Sequence, residues 1–138
     1  MARTNIYLNF QGNTEEAFEF YRSVFGGEFS DLQRMSDVPG FEVDEADKNK
    51  LMHVSLPLLG TTVLMGTDAL ESMGHVVSVG NNVSISLEPD SLAETERIFS
   101  ALSEGASDIT ELQKMFWGAY YGAFADRFGI RWMFNFVD

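Results

Sequence analysis

The sequence predicts an α+β fold in which one β-α-β-β-β unit is used twice. Three observations carry this. Segments that alternate apolar and polar residues flank two segments of helical periodicity. Each helical segment has a start and a stop signal: Thr14 and Gly26-Gly27 for the first, Pro89-Asp90-Ser91 and Gly105 for the second. The order then recurs, since a shift of 77 places Leu8 on Ile85, Phe10 on Leu87 and Thr14 on Ser91. The repeat is one of pattern, with little residue identity.

Taken in order, Thr4 to Phe10 alternates. Leu8 and Phe10 take one face and Asn5, Tyr7 and Asn9 the other, which predicts a half-buried strand. Thr14 is expected as a helix N-cap, with Glu15 and Glu16 where the helix dipole favours acid. Ala17, Phe20, Tyr21, Val24 and Phe25 follow at helical spacing. Residues 28–35 read as a strand, and 38–50, with Pro39, Gly40 and the acids Glu42, Asp44, Glu45 and Asp47, as a loop. Leu51 to Leu58 alternates again, with Met52, Val54, Leu56 and Leu58 facing one way and His53 and Ser55 the other. Gly60 turns the chain into a strand over 61–67.

The second unit opens with a strand over 82–87. There Val83, Ile85 and Leu87 face one way, and Asn82, Ser84 and Ser86 the other. Ser91 caps a helix whose apolar stripe includes Ile98, Phe99 and Leu102. Strands are expected at 106–112, 117–124 and 130–137, the last two joined by a tight turn holding Asp126 and Gly129. One domain of two modules results, 1–68 and 82–138, joined by the glycine-containing connection 69–81.

Size and charge narrow the function. The 138 residues suit one compact domain. Without cysteine, disulfides and thiolate chemistry are excluded. No apolar run approaches the ~20 residues of a membrane span, and no signal peptide is visible, so a cytoplasmic protein without membrane contact is expected. The net charge of −12 disfavours nucleic acid, whose phosphates need Lys and Arg, and favours cationic ligands.

Several segments together carry a family resemblance: Tyr7-Leu-Asn-Phe-Gln-Gly-Asn13, Glu16-Ala-Phe-Glu-Phe-Tyr21, Phe25-Gly-Gly27, Met52-His-Val-Ser55, Leu64-Met-Gly-Thr-Asp68, Phe116-Trp-Gly118 and Asp126-Arg-Phe-Gly-Ile-Arg-Trp132. They resemble the vicinal oxygen chelate superfamily of glyoxalase I, bleomycin-resistance proteins and extradiol dioxygenases, and within it the PhnB-like branch. The resemblance implies the glyoxalase/bleomycin-resistance/dioxygenase fold, its mixed sheets curled around a cavity, and a homodimer. Members of this branch often carry a methyltransferase label, but no glycine-rich strand-to-helix loop is present to hold a methyl donor.

Metal-dependent relatives place a ligand on the first and last strand of each module. Carried over by pattern, these positions fall on Asn5 (or Ile6), Met65, Asn82 (or Val83) and Met133. None is His or Glu. Amide and thioether side chains are poor ligands for magnesium, zinc or iron(II), so no metal and no cofactor is expected.

His53 is a candidate general base, because imidazole ordinarily titrates near neutrality; the alternative is a histidine hydrogen-bonded within the sheet. Arg131, on the face of Met133 and Asn135, is a candidate clamp for an anionic group, or else a partner of a surface acid. Trp117, Tyr121, Met65 and Met133 are candidates to line an adaptable pocket with Asn5, Tyr7, Asn9 and Asn82. The expected function is binding of an unidentified small organic molecule without metal, as in drug or metabolite sequestration. The alternatives are a metal-independent isomerase or lyase using His53, and a dimeric interaction module without ligand.

Overall fold

The computed structural model describes residues 1–138. They form two compact units, Met1–Ser78 and Val79–Asp138. Each holds one helix and one four-stranded mixed sheet. No helix is long and apolar enough to cross a membrane.

The first unit contains β1 (Ile6–Phe10), α1 (Thr14–Phe25), β2 (Asp31–Arg34), β3 (Leu51–Leu58) and β4 (Thr62–Asp68). Its sheet runs β1-β4-β3-β2, with β1 parallel to β4 and the other pairs antiparallel. The helix packs on β3 and β4. Its buried stripe is Thr14, Ala17, Phe18, Tyr21 and Val24. This corrects the expected stripe. Phe18, fully buried, replaces Phe20 and Phe25 as the central contact. Burying a side chain of that size contributes about 2–3 kcal/mol. Gly66 of β4 makes room for it, since a Cβ there would lie 2.5 Å from Phe18 Cε1.

Thr14 is also not the cap. Asn13 holds the N-cap position without a side-chain bond, and Thr14 is the first helical residue. The cap comes from a distant carboxylate. Asp68 Oδ1, at the end of β4, accepts from Thr14 N–H (3.0 Å) and Thr14 Oγ1–H (2.6 Å), while its Oδ2 accepts from Leu51 N–H (2.7 Å). One buried carboxylate thereby ties α1, β3 and β4 together. The strand expected over 28–35 is shorter, because Met35 enters a turn of 3-10 helix over Met35–Asp37 and a bulge lies between Gln33 and Arg34.

The second unit contains β5 (Ile85–Leu87), α2 (Leu92–Leu102), β6 (Ser107–Lys114), β7 (Tyr120–Ala125) and β8 (Arg131–Phe136), in the order β5-β8-β7-β6. Ser91 caps α2 by accepting from Glu94 N–H (3.1 Å). Thr95, Ile98, Phe99 and Leu102 are buried, and Phe99 meets Phe124 and Phe134 edge-on. Asp126 is this unit's buried carboxylate. It accepts from Phe128 N–H and Ile130 N–H within the turn, and from the indole of Trp132 at 2.8 Å.

Two expectations fail here. The opening strand covers only 85–87, which leaves Asn82 and Val83 exposed and outside it. Alternation alone could not reveal that β8 offers parallel partners to Ile85, Ser86 and Leu87 only. Trp117 is likewise outside its expected strand. Residues 115–118 form the β6–β7 turn, closed by Gly118 N–H to Met115 carbonyl at 2.9 Å.

Candidate functional site

In the first module, strand register gathers side chains on the face opposite α1. Tyr7 pairs with Met65, Met65 with Ser55, and Ser55 with Asp31, which gives one row across all four strands. Asn9, Thr67, His53 and Gln33 belong to the next row. Tyr7, Asn9, Asp31 and Gln33 are exposed, Met65, Thr67 and His53 are half-buried, and Ser55 is buried. No Lys or Arg lies in either row.

The centre of this face is a hydrogen-bonded chain. The Tyr7 hydroxyl lies 2.9 Å from His53 Nδ1, and His53 Nε2 lies 2.9 Å from Ser55 Oγ. Asp31 Oδ2 sits 3.8 Å from His53 Nε2. The Tyr7 and His53 rings pack at a tilt, with centroids 5.6 Å apart. Both imidazole nitrogens therefore have partners within the sheet, and His53 is held in one orientation. Partial burial pushes the Tyr7 phenol above its usual range, so the hydroxyl keeps its proton at neutral pH.

The remaining predicted site residues fall as follows. Asn5 precedes β1, while Ile6 within β1 points to the helix side with Leu8 and Phe10. Met133, Tyr121, Asn135 and Arg131 share the face of the second sheet that α2 does not cover. Arg131 is paired there with Asp108 at 2.8 Å, the surface-acid pairing expected as the alternative to an anion clamp. Trp117 is exposed beside Phe116, which is 97% exposed, at the β6–β7 turn.

The donor set does not fit the metal of the glyoxalase-type relatives. Asn5, Met65, Asn82 and Met133 offer neither carboxylate nor imidazole, and no three His, Asp or Glu side chains converge anywhere. Sequence reasoning missed Asp31 as a neighbour of His53, and it missed the Tyr7–His53 bond. Alternation put Tyr7 on one strand's polar face and His53 on another's, but only register brings them together.

Residues 2–134 match the model of the family described as 3-demethylubiquinone-9 3-methyltransferase. The chain belongs to that family. It is 38% identical to the Pseudomonas aeruginosa protein PA1353, whose crystal structure superposes with a TM-score of 0.86 over 99% of this chain and 98% of that one. The Escherichia coli K12 protein YjdN is 26% identical over 140 residues, 95% of this chain and 92% of its own. A glyoxylase/bleomycin resistance protein/dioxygenase domain from Frankia, 12% identical, shares the fold at a TM-score of 0.67 over 100% of this chain and 98% of that one. The chain thus shares the fold of glyoxalase/bleomycin-resistance/dioxygenase domains. Its description names a methyltransferase, yet neither strand-to-helix turn, Gln11–Asn13 or Glu88–Ser91, is glycine-rich.

Proposed function

We propose that this protein binds a small organic molecule, neutral or cationic, on the first module's sheet face around Tyr7, without using a metal. The observation that carries the reading is the Tyr7–His53–Ser55 chain. It presents an oriented hydroxyl among the exposed polar side chains Asn9, Asp31 and Gln33. Asp31 is the only carboxylate in these rows and neither row holds a Lys or Arg to meet a carboxylate or phosphate, which the net charge of −12 repels further. Sequestration of such a molecule is the role that best suits a site without a metal donor set.

A thermal-shift screen tests this, since a ligand of the native state raises stability by mass action, about 2.7 kcal/mol at 100 times its Kd. Neutral and cationic compounds are expected to stabilise, anions to have no effect, and Tyr7→Phe to reduce the shift. Stabilisation by anions alone, or a shift unchanged in Tyr7→Phe, would sink the reading.

Homodimerisation accompanies this proposal. It is supported by the solvent-exposed Phe116–Trp117 pair, since apolar exposure of this kind marks interaction surfaces. Sedimentation equilibrium should give a dimer that Phe116→Ser weakens.

A further inference from the structure

Building on the ligand site around Tyr7, we propose that Tyr7 rather than His53 meets the bound molecule. The chain Tyr7–His53–Ser55, with Asp31 beside it, then moves a proton to and from the carbon next to the carbonyl of a neutral ketone or aldehyde.

The geometry favours Tyr7 as the contacting group. His53 is held at both nitrogens, by Tyr7 at Nδ1 and by Ser55 at Nε2, each at 2.9 Å. It has no nitrogen left for a ligand. Tyr7 is 48% exposed and occupies the outer end of the chain. The other end is buried at Ser55. A ligand on this face therefore meets the phenol.

The chain accepts either charge state. With imidazole neutral in its Nε2–H tautomer, Nε2–H donates to Ser55 Oγ and Nδ1 accepts from the Tyr7 hydroxyl. With imidazole protonated, both N–H groups donate, to Tyr7 Oη and Ser55 Oγ, and the Asp31 carboxylate at 3.8 Å from Nε2 stabilises the cation. The titratable groups facing His53 are thus Tyr7 on β1 and Asp31 on β2. The residues beside it on β4, Met65 and Thr67, carry no titratable group.

The step balances without a metal, oxidant or reductant. The substrate C–H bond breaks as an O–H bond forms on Tyr7. The phenol's original O–H bond breaks as N–H forms at His53 Nδ1. The C–H electron pair moves into the carbonyl to give an enolate, and the reverse transfer returns a proton to carbon. A phenol that holds its proton to high pH is a poor base by itself, so the transfer depends on His53 taking the phenol proton in the same step. Tyr7 is then the catalytic residue and His53 a positioning residue with a proton to exchange. The lack of Lys and Arg in the two rows selects a neutral substrate over an acidic one.

The test uses dihydroxyacetone in D2O with the full-length protein, following loss of its methylene signals by proton NMR. Wild type is expected to speed exchange at least ten-fold over matched buffer. Tyr7→Phe should return it to the buffer rate. His53→Ala should slow it, and added imidazole should restore part of the lost rate, which a purely structural role of His53 would not allow. Binding is read in parallel from backbone amide shifts of β1 and β3. Amide shifts without exchange above buffer overturn the proton-transfer proposal and leave the binding reading standing. Exchange that survives Tyr7→Phe also overturns it. Neither shifts nor exchange removes both.

Discussion

The two modules share a plan and differ on the face their helices leave uncovered. In the first, one row reads Tyr7, Met65, Ser55 and Asp31; in the second, the row through Met133 reads Ser86, Met133, Ala123 and Thr110. His53 occupies in β3 the place that Tyr121 occupies in β7, one step along from the residue paired with the methionine. His53 of the neighbouring row links Tyr7 and Ser55 of the first row, whereas the second row is mostly small or apolar. A repeated architecture thus carries the Tyr7–His53–Ser55 hydrogen-bonded chain in one copy only.

On the helix side the modules solve one packing problem in two ways. Phe18 and Phe99 both press on the sheet beneath them, and each needs a glycine. In the first module it is Gly66 of β4, paired with Val54; in the second it is Gly122 of β7, paired with Phe134. The glycine and the bulky residue have exchanged strands. The buried carboxylates differ in a similar way. Asp68 bonds groups on α1 and β3, far apart in sequence, whereas Asp126 accepts from Phe128, Ile130 and Trp132, close to it in sequence.

That contrast gives the largest expected effect. Asp68→Ala leaves Thr14 and Leu51 N–H groups buried without acceptors and detaches the helix from two strands. It should cost about 3 kcal/mol or more in urea unfolding, since each stranded buried group costs about 1–3 kcal/mol. Asp126→Ala should cost less, because two of its donors, Phe128 and Ile130 N–H, are only part-buried and a single buried donor, the Trp132 indole, loses its acceptor. Equal losses would break the comparison.

The glycines come next. Alanine at Gly122 would place Cβ 2.6 Å from Phe99 Cε2 and 3.0 Å from Leu112 Cα, whereas at Gly66 the three nearest atoms all belong to the Phe18 and Thr14 side chains. Overpacking of this kind costs about 1–3 kcal/mol. Gly122→Ala should fall at the upper end, because backbone yields less than a ring. Phe18→Leu should partly rescue Gly66→Ala, and Phe99→Leu should rescue Gly122→Ala less. Equal rescue would show that the Leu112 backbone does not matter.

The smallest effect is electrostatic. Arg34 grips Glu15 at two points, 2.8 and 2.9 Å, and this hydrogen bonding holds the Glu15 carboxyl below its usual range. A depressed carboxylate adds stability that is present above about pH 4.3, its unfolded value, and is lost as the pH falls through the lower folded value. The pair is partly exposed, so Glu15→Gln should remove only a few tenths of a kcal/mol, roughly, at neutral pH. It should also flatten the acid limb of a stability–pH curve below about pH 4.3. A limb unchanged in Glu15→Gln would assign acid sensitivity to other carboxylates.

Much of the architecture was legible in the residue pattern. Leu51–Leu58 is a strand with the bounds its alternation indicated, and Ser91 caps α2 through its own hydroxyl. These features are local, decided by period and by side chains near their own backbone. The misses were non-local. Thr14 looked like a cap, but an acceptor 54 residues away took its N–H. Asn82 and Trp117 had strand-like neighbours but no partner strand to bind them. That Arg131 could pair with an acid was legible, but that the acid is Asp108 depends on the bulged β6.

By itself, the sequence determined the α+β class, the repeated order of elements, the family and the residue types at the four ligand positions of metal-dependent relatives. These follow from periodicity, capping and side-chain chemistry, all of which act over a few residues. Only the tertiary structure decided which polar residues work together. Tyr7, Asp31, His53 and Ser55 lie on three strands, and their hydrogen bonds depend on strand register. Register is set by the packing of Phe18 over Gly66 and by the reach of Asp68, and neither contact can be read from any one segment of the chain.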